Sequence, residues 1–156
     1  MPSSAGLLMY RRAPDGAVEV LLAHPGGPFW KRRDQGAWTL PKGEYTPDEA
    51  PLAAARREFE EETGFAARPP FLPLGDVVQK GGKRISAWAF AGDADPARLR
   101  SNTFEIEWPP GSGRQQQFPE IDRVGWFGLA DARGKMNASQ AQLLARLEAA
   151  LAAPPD

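Results

Sequence analysis

Apolar and polar positions along the chain change their period several times, and each change marks an element. Residues 5–10 (AGLLMY) and 17–23 (AVEVLLA) are short apolar runs flanking Pro14-Asp15-Gly16, a pattern that predicts two strands joined by a turn. His24-Pro25-Gly26-Gly27-Pro28 then forces a loop, followed by the basic stretch Lys31-Arg32-Arg33. Ala37-Trp38-Thr39-Leu40 predicts a brief strand that stops at Pro41. From 51 to 63 the period becomes helical, with Leu52, Ala55, Phe59 and Thr63 on one face. Pro51 suits the first helical position, where it has no hydrogen bond to remove, and Gly64 suits a left-handed stop. Thr46-x-x-Glu49 has the form of a capping box, but a helix begun there would hold Pro51 in its interior. The predicted start is therefore Pro51.

Further strands are predicted over 74–79 (LGDVVQ) and 84–91 (RISAWAFA), with the turn at Gly81-Gly82, and over 103–108. Residues 109–119 (PPGSGRQQQFP) read as a polar loop and Val124–Phe127 as a late strand. Leu143, Leu144, Leu147 and Leu151 recur at helical spacing over 138–151, ahead of Pro154-Pro155. There is no internal repeat and no linker. The expected architecture is a single α/β domain over 1–156, with a central helix and a C-terminal helix covering a mixed sheet.

Composition narrows the chemistry. A chain of 156 residues supports one core, and its 16 glycines and 16 prolines predict many tight turns. The net charge of −1 supplies no field towards long nucleic acid or an anionic membrane. Without cysteine there is no disulfide, thiolate zinc site or cysteine nucleophile, which leans towards a cytoplasmic protein. The single histidine, His24, excludes multi-histidine metal motifs. The start, MPSSAGLLMYRRAPDG, lacks the basic segment and apolar core of a secretory signal. No run of about 18 apolar residues is present to span a membrane.

Chemistry is then left to carboxylates, hydroxyls, lysine and arginine. Seven of the 19 residues from Glu44 to Glu62 are acidic. Glu58, Glu61 and Glu62 stand at i, i+3, i+4 and converge on one side of the helix, whereas Glu60 points elsewhere. Like charges at this spacing cost a helix about 0.2–0.5 kcal/mol per pair, and the C-terminal end of a helix also disfavours negative charge. A solvated acidic face is the plain reading of such a run. The surroundings favour a compensating cation instead. Oxygen donors without His or Cys suit Mg²⁺ or Mn²⁺, Arg57 can orient Glu61 from four residues away, and Gly43 permits close backbone approach, so that its carbonyl could be a further ligand.

Gly43, five residues, Glu49, seven residues, then Arg57-Glu58-Phe59-Glu60-Glu61-Glu62-Thr63-Gly64-Phe65 resembles the complete box of the Nudix hydrolase family at every fixed position. The resemblance implies a Nudix-like α/β/α sandwich and hydrolysis of a diphosphate linkage, in a nucleoside diphosphate joined to another group, by water attack on phosphorus. It implies Mg²⁺ (or Mn²⁺) held by Glu58, Glu61 and Glu62 with the Gly43 carbonyl. One of these carboxylates is a candidate general base, and the resemblance does not select which. Glu49 and Arg57 are expected to hold loop and helix in place. Pro119-Glu120-Ile121-Asp122-Arg123-Val124-Gly125-Trp126-Phe127 resembles the segment that supplies a further carboxylate, making Glu120 a candidate ligand or base. A rim carboxylate is an equal alternative, and Asp122, Glu105 and Glu107 are weaker candidates.

Trp38 and Leu40-Pro41-Lys42-Gly43-Glu44 resemble Nudix branches acting on dinucleoside polyphosphates or diphosphoinositol polyphosphates, with Lys42 as a phosphate contact. Phe29, Trp30 and Trp38 are candidates for stacking a purine, worth about 1–3 kcal/mol per base. Lys31, Arg32, Arg33, Lys80, Lys83 and Arg84 are candidates for a basic rim or for plain solvated surface. Trp88, Trp126 and Phe127 read as core, Trp108 as ambiguous, and His24 as a loop hydrogen-bonder. The expected partner is a small nucleotide or polyphosphate, preferably a dinucleoside polyphosphate or nucleoside triphosphate. ADP-ribose, diphosphoinositol polyphosphate and a catalytically silent nucleotide sensor are the alternatives. Monomer and homodimer stay open.

Overall fold

In the computed structural model, residues 3–152 are described; the Pro154-Pro155 terminator and the first two residues lie outside that range. The strands are β1 (Ser3–Arg12), β2 (Val18–Pro25), β3 (Lys42–Tyr45), β4 (Leu72–Val78), β5 (Arg84–Ala91), β6 (Thr103–Glu107), β7 (Gln115–Pro119) and β8 (Ile121–Gly128). The helices are α1 (Pro51–Thr63), α2 (Leu129–Lys135) and α3 (Gln142–Ala152).

Strands β4-β5-β1-β2-β8 form a mixed sheet, with β3 joined to β1. Strand β1 runs parallel to β5 along Ser3–Tyr10, but its other edge is shared. Ser3–Gly6 pair with β3, and Tyr10–Arg12 pair with β2. Between those pairings Leu7 N donates to Pro41 O at 3.2 Å. The sheet therefore divides at the middle of β1, and the chain from Trp38 to Gly43 enters there.

Both faces of the central strands are covered, which explains their continuous apolar runs. Ala5, Leu7, Met9, Leu21 and Ala23 pack with Ala54, Ala55 and Phe59 of α1. Leu8, Val20 and Leu22 pack on the opposite face with Ala132 of α2 and Leu143, Leu144 and Leu147 of α3. The result is an α/β/α sandwich.

Helix α1 begins at Pro51 and ends at Gly64, whose φ of 76° is left-handed. Ala54 joins the buried face beside Ala55, Phe59 and Thr63, while Leu52 is partly buried. Five elements differ from expectation. Residues 37–40 make only isolated bridges, Thr39 to Ala23 and Trp38 to Met136. The 109–119 segment is a loop only as far as Arg114: β7 then pairs with β6, and Phe104 opposite Phe118 closes one side of the hairpin. Its Gln115-Gln116-Gln117 run is solvent-exposed, so no apolar alternation marks it. Residues 129–135 form α2, and the last helix begins at 142 because Asn137 turns the chain, its Oδ1 accepting from Ser139 N at 3.0 Å. Strand β3 is short and polar, and exists through its pairing with β1. Trp88 and Trp126 are partly buried against the α1 side and Phe127 against the other, as expected of core aromatics.

Candidate active site

The helical spacing of Glu58, Glu61 and Glu62 places them in the last turns of α1, beside the entry of β3. Arg57 organises the cluster. It donates to both oxygens of Glu49 at 2.9 Å each, to Glu58 Oε1 at 2.9 Å and to Glu61 Oε2 at 3.2 Å. Its pKa is raised, first by Glu49 and, against desolvation, by Glu58. Glu49 is correspondingly held below the ordinary carboxylate range by Arg57. Thr46 and Glu49 form a backbone turn, Glu49 N donating to Thr46 O at 3.1 Å, and the Glu49 side chain serves Arg57.

Gly43 fits against Glu58. A Cβ at position 43 would stand 2.0 Å from the Glu58 carboxyl carbon, so only glycine leaves room for that carboxylate. Burial raises the pKa of Glu58, opposed by Arg57. Glu62 is more enclosed. Desolvation pushes its pKa up to about 8, opposed by Lys42 and assisted by Glu58. Its Oε1 accepts from Lys42 N at 3.3 Å. Burial conversely lowers the pKa of Lys42, with Lys83 adding to that effect.

Lys42, Glu62 and Glu120 line one groove of about 270 Å³, together with Trp30, Gln79 and Gln140. Glu120 sits exposed between β7 and β8, its amide donating to Asn102 O and its carbonyl accepting from Gly26 N, both at 2.9 Å. Among the described residues no three acidic or histidine side chains already converge as a closed metal cage; Arg57 draws Glu49, Glu58 and Glu61 to itself. The donors nonetheless fit a hard divalent cation. They are all carboxylates, Glu62 is desolvated without a carboxylate-neutralising salt bridge among the described residues, and Gly43 brings backbone against Glu58.

The aromatic candidates separate. Trp38 is not a stacking surface: it is 5% exposed, donates Nε1 to Asp34 at 2.8 Å, and meets Phe127 and His24 edge-on. Trp30 reaches the groove. Phe29 is 64% exposed but lies outside the groove lining, edge-on to Trp108 at 5.4 Å. Asp122 is engaged by buried His24, whose Nδ1 lies 2.8 Å away and whose Nε2 is 2.6 Å from Arg33 O. Glu105 and Glu107 lie on the β6–β7 hairpin, Glu107 accepting from Gly111 N. Two cations of the expected rim are paired, Lys83 with Glu44 at 2.7 Å and Arg84 with Asp76 at 3.2 Å; Lys31, Arg32 and Arg33 are exposed.

Gln140 escaped sequence reasoning. It is 1% exposed, and its Oε1 accepts from Leu40 N at 3.1 Å and Thr39 Oγ1 at 2.9 Å. It fixes the segment leading to Lys42. No motif marks it, because its partners lie 100 residues away in the chain.

The chain is thus a three-layer α/β/α sandwich with a glutamate-rich helix end beside a groove that Lys42 lines. Residues 2–147 match the family model of the NUDIX domain, and the chain belongs to the NUDIX family. A 64-residue stretch is 41% identical to "Putative 8-oxo-dGTP diphosphatase 3" of Mycobacterium tuberculosis, covering 41% of this chain and 28% of that protein's length. The crystal structure of a C. elegans Ap4A hydrolase binary complex matches with a TM-score of 0.65 and 25% identity, covering 97% of this chain and 98% of that one. The NUDIX domain of Shewanella oneidensis NrtR, complexed with ADP ribose, shares the fold at 19% identity and a TM-score of 0.63, over 96% of this chain and 87% of that one. No helix among the described residues is long and apolar enough to cross a membrane.

Proposed function

We propose that this protein is a divalent-metal-dependent pyrophosphohydrolase that opens a diphosphate linkage in a small nucleotide, with a dinucleoside polyphosphate as the preferred substrate class. The observation that carries this reading is the placement of desolvated Glu62 beside Lys42 and Glu120 in one groove, with Glu58 seated on Gly43 in the same helix end. The similarity to an Ap4A hydrolase over nearly the full length of both chains supports the substrate class. The reading takes the protein to work in the cytoplasm on a free small molecule.

Glu58, Glu61 and Glu62, with the Gly43 carbonyl and Glu120, would hold Mg²⁺ or Mn²⁺. A bound ion of this kind neutralises phosphate oxygens and supplies an activated water. Lys42 offers a point charge to a phosphate oxygen, Trp30 a ring face to a base, and Arg57 positions the carboxylates without touching substrate. Glu120, which lines the same groove as Glu62, would be the further ligand or base.

The test is product-resolved hydrolysis of diadenosine tetraphosphate, a nucleoside triphosphate, ADP-ribose and a diphosphoinositol polyphosphate, with Mg²⁺, Mn²⁺ or EDTA. Glu61→Gln is run alongside. Metal-dependent cleavage of diadenosine tetraphosphate, reduced by orders of magnitude in the variant, is expected. Near-normal turnover by Glu61→Gln would defeat the site assignment. Preference for ADP-ribose would move the substrate to the second reading, which the fold shared with an ADP-ribose-binding NUDIX domain favours. Tight nucleotide binding with no turnover would make the protein a sensor.

A further inference from the structure

The turn after α1 and the segment joining β5 to β6 enclose a groove of about 920 Å³ that shares no lining residue with the acidic site. Its floor includes the buried Met9 and Phe90, and its rim carries Arg68, Arg98 and Arg100. None of these three guanidiniums makes a salt bridge or side-chain hydrogen bond among the described residues. Of the two carboxylates beside them, only Asp93 is in an ion pair. Asp93 pairs with Arg11 at 2.8 Å, and Asp95 accepts from Ala97 N at 3.0 Å.

The end of α1 does not occupy the guanidiniums either. Its carbonyls are satisfied by backbone amides: Glu60 O accepts from Gly64 N, Glu61 O from Asn102 N, and Thr63 O from Arg100 N, at 2.8–2.9 Å. Three guanidiniums without an ion pair among the described residues, against the one unpaired carboxylate of Asp95, therefore line a concavity with an apolar floor, of a volume usual for a small-molecule pocket (about 300–1,000 Å³). Planar guanidinium forks match phosphate oxygens in pairs.

We propose that this groove is a second ligand site, separate from the acidic groove, that takes a phosphate-bearing small molecule. Its rim arginines bind the phosphate, and its apolar floor receives the organic part.

The experiment is calorimetric titration of the full chain with pyrophosphate in EDTA, with Lys42→Gln reporting any binding in the acidic groove. Saturable binding is expected. It should weaken at least tenfold in Arg98→Gln/Arg100→Gln and measurably in Arg68→Gln. It should hold in Arg12→Gln/Arg133→Gln, which loses the same charge elsewhere, and in Lys42→Gln, which removes the cation of the acidic groove. All five side chains replaced in the arginine variants are on exposed positions, and thermal melts verify folding. Absence of binding, equal weakening in the two double variants, or loss of binding in Lys42→Gln would overturn the assignment.

Discussion

Arg57 grips Glu49 through both ends of its fork, Nε to Oε2 and Nη2 to Oε1 at 2.9 Å each, while its remaining nitrogen reaches Glu58 and Glu61. One residue of α1 is thereby fixed to the loop before the helix and aims two carboxylates. Lysine at 57 keeps the charge and loses the planar fork. Because Arg57 is 39% and Glu49 28% exposed, solvent screening keeps their contribution to stability small. Arg57→Lys is expected to move the melting temperature little, cut turnover at least tenfold and raise the Mn²⁺ concentration needed for half-maximal rate. An unchanged metal requirement would reduce Arg57 to a surface tether.

Gly43→Ala places a methyl group where the Glu58 carboxylate lies. Strand β3 is paired to β1 through Ala5 opposite Gly43, so the strand cannot retreat freely and Glu58 must turn away. The expected result is a folded protein with turnover down at least a hundredfold and weakened Mn²⁺ binding by calorimetry. Wild-type turnover would mean that Glu58 is not needed in the position seen.

Trp30 and Trp38 separate recognition from folding. Trp30→Ala removes an aromatic face from the groove and is expected to raise KM several-fold with little change in melting temperature, in line with about 1–3 kcal/mol for a stacked base. Trp38→Ala empties a buried position packed on Phe127 and His24 and should destabilise by about 3–5 kcal/mol. Denaturant melts and steady-state kinetics on both variants decide the matter; an unaltered KM in Trp30→Ala would remove it from the recognition surface.

What the sequence makes legible is whatever depends on neighbours along the chain. The boundaries of α1 follow from Pro51 and Gly64, and helical spacing alone puts Glu58, Glu61 and Glu62 in its last turns. The family follows from the same 23 residues, Gly43 to Phe65. Features made by distant partners are less visible. Trp38 looks like a surface aromatic beside a polar motif, yet Asp34, His24 and Phe127 enclose it. Strand β7 has no apolar face of its own to announce it, and β3 exists because β1 offers it an edge. Gln140 acts across 100 residues of chain, where no local pattern reaches.

Asp34 supplies a pH dependence away from the acidic helix. Its carboxylate accepts from Lys135 Nζ at 2.5 Å and from Trp38 Nε1 at 2.8 Å. The hydrogen bond from Lys135, then that from Trp38, hold its pKa below the ordinary carboxylate range. A group depressed in the folded state stabilises fully above its unfolded pKa, about 3.9 for aspartate. That stabilisation is lost as pH falls through the lower folded value. Asp34→Asn should therefore melt below wild type at pH 7, and the gap should narrow as the pH is taken below about 4. The remaining gap at acid pH reports the neutral hydrogen bond to Trp38. Paired thermal melts at pH 7, 5 and 3 measure it; a gap that stays constant across this range would show that the Asp34 charge contributes nothing to the fold.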